Sequence, residues 1–330
     1  MTNTVFQFPN MADKSRYPIY DFGVITDMSR STITWSKRCL EKAPLIIRCV
    51  WLFTRSDIKT IIIPKSIFGI LGGVSSAGLV STTKPDHDIL RRIPLVVSWV
   101  WIVLLPFNID NQRREASIEE DRRNRPWRPL PSRMITPDQA FRLMMTCHIA
   151  ALGYSFLVGG FLQSLLGILF GWLYNGLGAA DRSWVGKNIV NALGYITFST
   201  GAITVATCGR FTPCGLQWFG LLSAVVFTTV QVQDLTDMEG DAARGRQTVP
   251  LVMGCHFCRW SIGILVPGWS VVASMYWGCF SLGAVICIMF GVAVSWRVLN
   301  MTSLQDDKLT FWLWNAWMVS LYILPLASAG

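Results

Sequence analysis

The sequence predicts an all-α polytopic membrane protein. Of its 330 residues, 52% are hydrophobic and only 15% charged, and the mean hydropathy is +0.40. Several apolar runs approach the ~20 residues that cross a hydrocarbon core. A soluble domain carries nearer roughly 25% charged residues, so two soluble domains of about 150 residues each, the naive reading of the length, are excluded. The net charge of +9 does not point to nucleic acid, because the basic residues lie between apolar runs rather than in one patch or tail.

In chain order, residues 1–44 are polar and mixed in charge, with no apolar core after a basic start, so no cleavable signal peptide is expected. Ala43-Pro44-Leu45 through Phe53 is apolar but too short to span and reads as an interfacial helix. A cytoplasmic N-terminal segment over 1–58 therefore precedes a transmembrane domain over 59–330. Nine spans are expected, at 59–81, 90–108, 140–158, 159–177, 188–207, 215–233, 258–276, 278–297 and 309–328, the third and fourth separated only by Gly159-Gly160. Most of the 29 Lys and Arg fall before the first span and in the loops after even-numbered spans, whereas the opposite loops hold Lys84, Arg91, Arg92 and Arg210. The positive-inside rule places the N-terminus and the even-numbered loops in the cytoplasm.

The nine cysteines are scattered, mostly in apolar runs, where a free thiol behaves as a small hydrophobe. Cys255 and Cys258 bracket His256 but have no further ligands at zinc spacing. Cys208 and Cys214 flank one short loop and could pair only in an oxidising lumen. Asp306 and Asp307 are expected to be solvated, and no Gly-rich phosphate loop is present.

The acidic residues are concentrated. Of the 20 Asp and Glu, nine lie in two stretches that each follow an even-numbered span: Asp110, Glu115, Glu119, Glu120 and Asp121, then Asp234, Asp237, Glu239 and Asp241. Asp234, Asp237 and Asp241 fall at i, i+3 and i+7, along one helical face. Carboxylates grouped at a membrane boundary repel one another unless cations are held there. An oxygen-only set without His or Cys favours Mg²⁺, which keeps waters and bridges to substrate phosphates. In the first stretch Asn111, Glu115 and Glu119 are spaced i, i+4 and i+8, interleaved with Arg113, Arg114, Arg122, Arg123, Arg125 and Arg128. Arg suits bidentate phosphate binding. The pair of stretches is read as a pyrophosphate site between two magnesium-binding faces.

At these residues the chain resembles the UbiA superfamily of intramembrane prenyltransferases, which have nine transmembrane helices around a central cavity and two motifs, N-D-x-x-D-x-x-x-D and D-x-x-D-x-x-x-D. The second motif is matched by Asp234, Asp237 and Asp241 and continues through Gly240, Gly245, Thr248 and Pro250; Arg128-Pro129-Leu130-Pro131-Ser132 matches another family segment. The first motif departs, with Gln112, Glu115 and Glu119 after Asn111 where the family has aspartates. A second register uses Asp121 and Asn124-Arg-Pro-Trp-Arg-Pro129, similar to chlorophyll synthases, and puts Arg113 at the Asn and Ser117 at a central acid. The first register supplies more oxygen ligands, with Asp121 as an additional one. These departures, and Leu52-Phe-Thr-Arg-Ser-Asp-Ile-Lys-Thr60 before the first span, look most like the fungal UbiA-type membrane terpene cyclases.

The resemblance implies a Mg²⁺-dependent enzyme of the endoplasmic reticulum membrane that ionises farnesyl diphosphate and cyclises the cation to a sesquiterpene such as bergamotene. The runner-up moves a prenyl group from a polyprenyl diphosphate to an aromatic or lipophilic acceptor. A cation transporter is the remote alternative, since it would place its carboxylates nearer the midplane. Expected metal ligands are Asn111, Glu115, Glu119, Asp121, Asp234, Asp237 and Asp241, with Lys65 and Arg128 on the diphosphate. Counting back along the helical faces from the acids adds Phe107, Phe227 and Gln231 as cavity residues.

Overall fold

The computed structural model describes residues 43–75, 78–278 and 281–327. The expectations for residues 1–42 lie outside them. Two compact units divide the chain, Met1–Arg48 and Cys49–Gly330.

Helix α1 covers residues 43–54 and so crosses the unit boundary. A 3₁₀ turn, Arg55–Asp57, and a π-helical turn, Ile58–Ile62, lead into α2 (Ile63–Val74). Then come α3 (Asp86–Arg91), α4 (Ile93–Gln112), α5 (Glu115–Asn124), α6 (Pro137–Val158) and α7 (Phe161–Gly171), which ends in a second π turn, Trp172–Gly176. They are followed by α8 (Ala179–Arg182), α9 (Trp184–Thr207), α10 (Pro213–Thr229), a 3₁₀ turn Val230–Gln233, and α11 (Asp234–Arg244). The last are α12 (Val249–Val252), α13 (Cys255–Tyr276), α14 (Leu282–Asn300) and α15 (Leu304–Ala327). The only strands among the described residues are β1 (Val80–Ser81) and β2 (Arg210–Phe211), paired antiparallel with Val80 opposite Phe211.

Among the described residues, six helical stretches are long and apolar enough to cross a membrane: Ile93–Gln112, Pro137–Val158, Trp184–Thr207, Pro213–Arg244, Leu282–Asn300 and Leu304–Leu326. The expected spans at 59–81 and 159–177 are shorter α-helices extended by π turns, α2 of 12 residues and α7 of 11. The α6–α7 break falls at Gly159 and Gly160, whose φ angles of +107° and +82° suit glycine. At the other end of α6, Thr136 and Gln139 form a reciprocal capping box.

Helices approach closely where glycine allows it, as is usual where apolar surfaces pack in lipid. A Cβ on Gly69 of α2 would sit 2.6 Å from the Cβ of Ala202 on α9, and one on Gly201 would sit 1.9 Å from Trp99 of α4. That indole cannot swing aside freely, because its Nε1 donates to Ser155 Oγ of α6 at 2.9 Å. Gly201→Ala is therefore expected to destabilise by about 1–3 kcal/mol through overpacking. A thermal-unfolding midpoint unchanged in detergent would refute it.

Asp307 corrects the expectation of a solvated pair. It is buried on α15 and takes a bidentate ion pair from Arg259 of α13, at 2.7 and 2.8 Å. The apolar surroundings of Arg259 require that partner. Cys208 and Cys214 are separate thiols.

Candidate active site

The two acidic stretches form short helices that face one another. α4 ends at Gln112 and α5 begins at Glu115, with Arg114 extended between them at φ −75°, ψ 144°. α11 follows α10 through the 3₁₀ turn, and Gly245 ends it in the left-handed conformation at φ +71°. Gly240 sits where α11 meets α5: a Cβ there would lie 2.8 Å from Asn124 Nδ2 and 3.1 Å from Glu120 Cγ. Thr248 is the N-cap residue of α12 and Pro250 lies in its first turn.

A cavity of about 440 Å³ opens beside them. Its charged lining comprises Asp57, Glu120, Asp121, Arg125, Arg128, Lys187, Asp234, Asp237, Asp241, Arg244, Arg246 and Lys308. Its apolar and aromatic lining includes Val103, Leu104, Phe107, Tyr195, Phe198 and Phe311. Along α9, Phe198 stands eleven residues beyond Lys187, roughly 16 Å by helical rise. One end of the cavity is thus ionic and the other aromatic.

The ionic end is laced by pairs. Lys187 Nζ, at the start of α9, lies 2.5 Å from Asp234 Oδ1 and 4.0 Å from Asp241 Oδ2. Arg246 bridges Asp241 (2.9 Å) and Asp181 (2.8 Å). Arg128 Nη1 donates to both oxygens of Asp121 at 2.8 Å. Arg125 lies 3.6 Å from Asp237, and Arg244 lies 3.6 Å from Glu120 while donating to Ser117 Oγ at 2.7 Å. Asp121, Asp234 and Asp241 are at most 2% exposed.

Burial pushes the Glu120 carboxyl up, with the nearby Arg246 opposing the shift. At Asp181 burial also acts upward, but hydrogen bonds and charge from Arg246 and Arg244 together bring the carboxyl below its usual value. Asp57 is raised by burial despite Arg128, Arg125 and a hydrogen bond from Asn108.

Several acceptors are left open. Asp234 Oδ2 and Asn111 Oδ1 are buried without a hydrogen-bond partner among the described residues. A buried carboxylate or amide oxygen with no donor is costly and suits a hard cation. Among the described residues no group of three His, Cys, Asp or Glu side chains forms a metal cage. Mg²⁺ does not require one, since it is commonly held by one or two carboxylates with waters and substrate phosphates. The donor set fits such an ion.

Of the residues expected from sequence, Phe107, Asn111, Asp121, Arg128, Asp234, Asp237 and Asp241 line the cavity. Five others do not. Glu115 and Glu119 are exposed, Glu119 paired with Arg122 at 2.5 Å. The non-helical step at Arg113-Arg114 shifts the phase between α4 and α5, so Ser117, Glu120 and Asp121 turn inward instead. Phe227 packs against the core of α10, α13 and α15, and Gln231 bonds to Ser261 of α13 at 3.2 Å; the 3₁₀ turn after α10 breaks the face counted back from Asp234. Lys65 is buried, with Nζ 3.0 Å from Tyr322 Oη and 4.0 Å from the centroid of the Tyr195 ring. Lys187, Arg246, Glu120 and Asp57 join the cavity lining from outside the set expected from sequence. Sequence signals exist for three of them: Lys187 heads an apolar span, Glu120 lies in the first acidic stretch, and Asp57 lies in the segment before the first span.

Fold and site together define a polytopic helical membrane protein with a cavity that is ionic at one end and aromatic at the other. Residues 71–318 match the UbiA prenyltransferase family, and the chain belongs to it. Members are prenyltransferases or related terpene synthases, so the protein is an enzyme of that group. The chain is 28% identical over 297 residues to the fumagillin β-trans-bergamotene synthase of Aspergillus fumigatus, covering 87% of this chain and 95% of that one. It is also 28% identical over 285 residues to a polyprenyl transferase of Hericium erinaceus, covering 84% and 92%. In fold it is similar to a UbiA homologue from Archaeoglobus fulgidus solved with GPP and Mg²⁺, with TM-score 0.58, 13% identity, and coverage of 84% of this chain and 99% of that one.

Proposed function

We propose that this protein is a magnesium-dependent class I terpene cyclase that ionises farnesyl diphosphate and closes the allylic cation to a sesquiterpene such as bergamotene. It acts in the endoplasmic reticulum membrane through nine spans, with the N-terminus and both acidic stretches cytoplasmic. The observation that carries the reading is one continuous cavity with an ionic end and an aromatic end. That division suits a diphosphate joined to an unsaturated chain.

Asp234, Asp237 and Asp241 on α11, with Asn111, Glu120 and Asp121 opposite, would hold the metal. When bound, Mg²⁺ supplies charge neutralisation of the leaving diphosphate. The cations now paired with those carboxylates, Lys187, Arg246, Arg128 and Arg125, are then free to turn onto phosphate oxygens. The site thus exchanges internal ion pairs for external ones, and its buried charges stay compensated throughout. Phe107, Tyr195, Phe198 and Phe311 exclude water and offer ring faces to the migrating cation, worth up to about 2 kcal/mol for each desolvated contact.

The equal identity to a polyprenyl transferase favours a second reading, transfer of the prenyl group to a lipophilic acceptor. Membranes containing the protein, given farnesyl diphosphate and Mg²⁺ without acceptor, are expected to release a cyclic sesquiterpene hydrocarbon, detected by gas chromatography. Turnover that begins only when an acceptor is added would overturn the cyclase reading and support transfer.

A further inference from the structure

Six carboxylates line the cavity, and five are ion-paired: Glu120 with Arg244, Asp121 with Arg128, Asp234 with Lys187, Asp237 with Arg125 and Asp241 with Arg246. Asp57 is the sixth and has no ion pair within 4 Å among the described residues. We propose that Asp57 is the base that takes the final proton of the cyclisation, a role that rests on the cyclase reading above.

Asp57 belongs to neither acidic stretch. It closes the 3₁₀ turn Arg55–Asp57 and immediately precedes the π turn Ile58–Ile62. Such insertions are frequent at functional sites because they re-aim side chains that a regular helix would space evenly. Here Ser56, Asp57, Thr60 and Ile61 all reach the cavity. Asn108 of α4 fixes the carboxylate: its Nδ2 donates to Asp57 Oδ2 at 2.9 Å and to the Phe53 carbonyl at 3.3 Å. Oδ1 accepts no hydrogen bond among the described residues. The charged and titratable groups acting on Asp57 are Arg125 and Arg128 from the ionic end and Tyr195 of α9 from the aromatic side. The carboxylate therefore stands between the two ends of the cavity, within reach of a cation formed along the chain.

The step balances without any further reagent. A C–H bond next to the final carbocation breaks, and its electron pair becomes the new C=C bond. The proton passes to Asp57 Oδ1, from which water removes it after product leaves. Burial holds this carboxyl above the usual carboxylate range, so its ionised form is a stronger proton acceptor than an exposed aspartate. The competing base is the released diphosphate itself.

The test follows two readouts in full-length protein in membranes with farnesyl diphosphate and Mg²⁺: inorganic diphosphate released, and the hydrocarbon and alcohol products. In Asp57→Asn, which keeps an oxygen for Asn108 to donate to, diphosphate release is expected to stay within about threefold while formation of the wild-type olefin falls by about 100-fold. Water-quenched alcohols or prematurely terminated olefins should replace it. Asp57→Glu is expected to restore an olefin as the main product. An unchanged product mixture in Asp57→Asn would overturn the proposal and assign deprotonation to the diphosphate. Loss of diphosphate release in both variants, at normal protein level, would overturn it by placing Asp57 in the ionisation step. If the wild type itself forms no hydrocarbon, the cyclase reading fails and this proposal with it, an outcome distinct from both others.

Discussion

Asp234→Asn is expected to lower diphosphate release by about 100-fold or more while leaving the amount of protein in the membrane unchanged. Asp234 is 1% exposed, its Oδ1 is held by Lys187, and its Oδ2 has no hydrogen-bond partner among the described residues. The open oxygen is a buried acceptor on the α11 face that a metal could take up. An amide keeps the volume and one acceptor but removes the charge. Asp234→Ala is the less informative variant, because it strands a buried ammonium whose remaining carboxylate neighbour, Asp241, lies 4.0 Å away. Breaking a buried pair in that way costs about 3–5 kcal/mol and would confuse folding with catalysis. Raising Mg²⁺ should recover part of the Asn variant's activity if metal affinity is what fails. Near-normal turnover of Asp234→Asn at ordinary Mg²⁺ would refute the assignment.

What could be read from sequence divides along the range of the interactions. The second motif was legible because it is one short helix: Asp234, Asp237 and Asp241 share a face by local geometry, and Gly240 and Gly245 are fixed by a close approach and a left-handed C-terminus. Those residues also identified the family. The Gly159-Gly160 break was legible for the same reason, since positive φ is a local demand. Lys187 lies 47 residues from Asp234, and no spacing rule joins two residues so far apart. The pairing depends on how α9 docks against the α10–α11 junction. Counting faces failed wherever the backbone leaves the α-helix. The 3₁₀ turn Val230–Gln233 turns Phe227 and Gln231 away from the cavity, and π turns shorten two of the expected spans to brief α-helices. A strict period of 3.6 residues cannot register such interruptions.

The same interruption governs the first acidic stretch, where the two registers make opposite predictions. Had α4 continued unbroken, Asn111, Glu115 and Glu119 would form one face. The extended residue Arg114 ends that continuity, and α5 restarts with Ser117, Glu120 and Asp121 toward the cavity. Asp121→Asn is therefore expected to lose about 100-fold in diphosphate release, whereas Glu115→Ala and Glu119→Ala should each remain within about threefold, as surface changes away from special contacts usually do. The asymmetry has a second source in Arg128, whose Nη1 is held by both oxygens of Asp121. Removing that charge frees a buried guanidinium to sit on a neighbouring acid instead of the substrate. Asp121→Asn should accordingly raise KM for the diphosphate as well as lower kcat, and Asp121→Glu should recover more of both. Loss of activity in Glu115→Ala with Asp121→Asn intact would restore the unbroken register and require α4 and α5 to straighten when substrate binds.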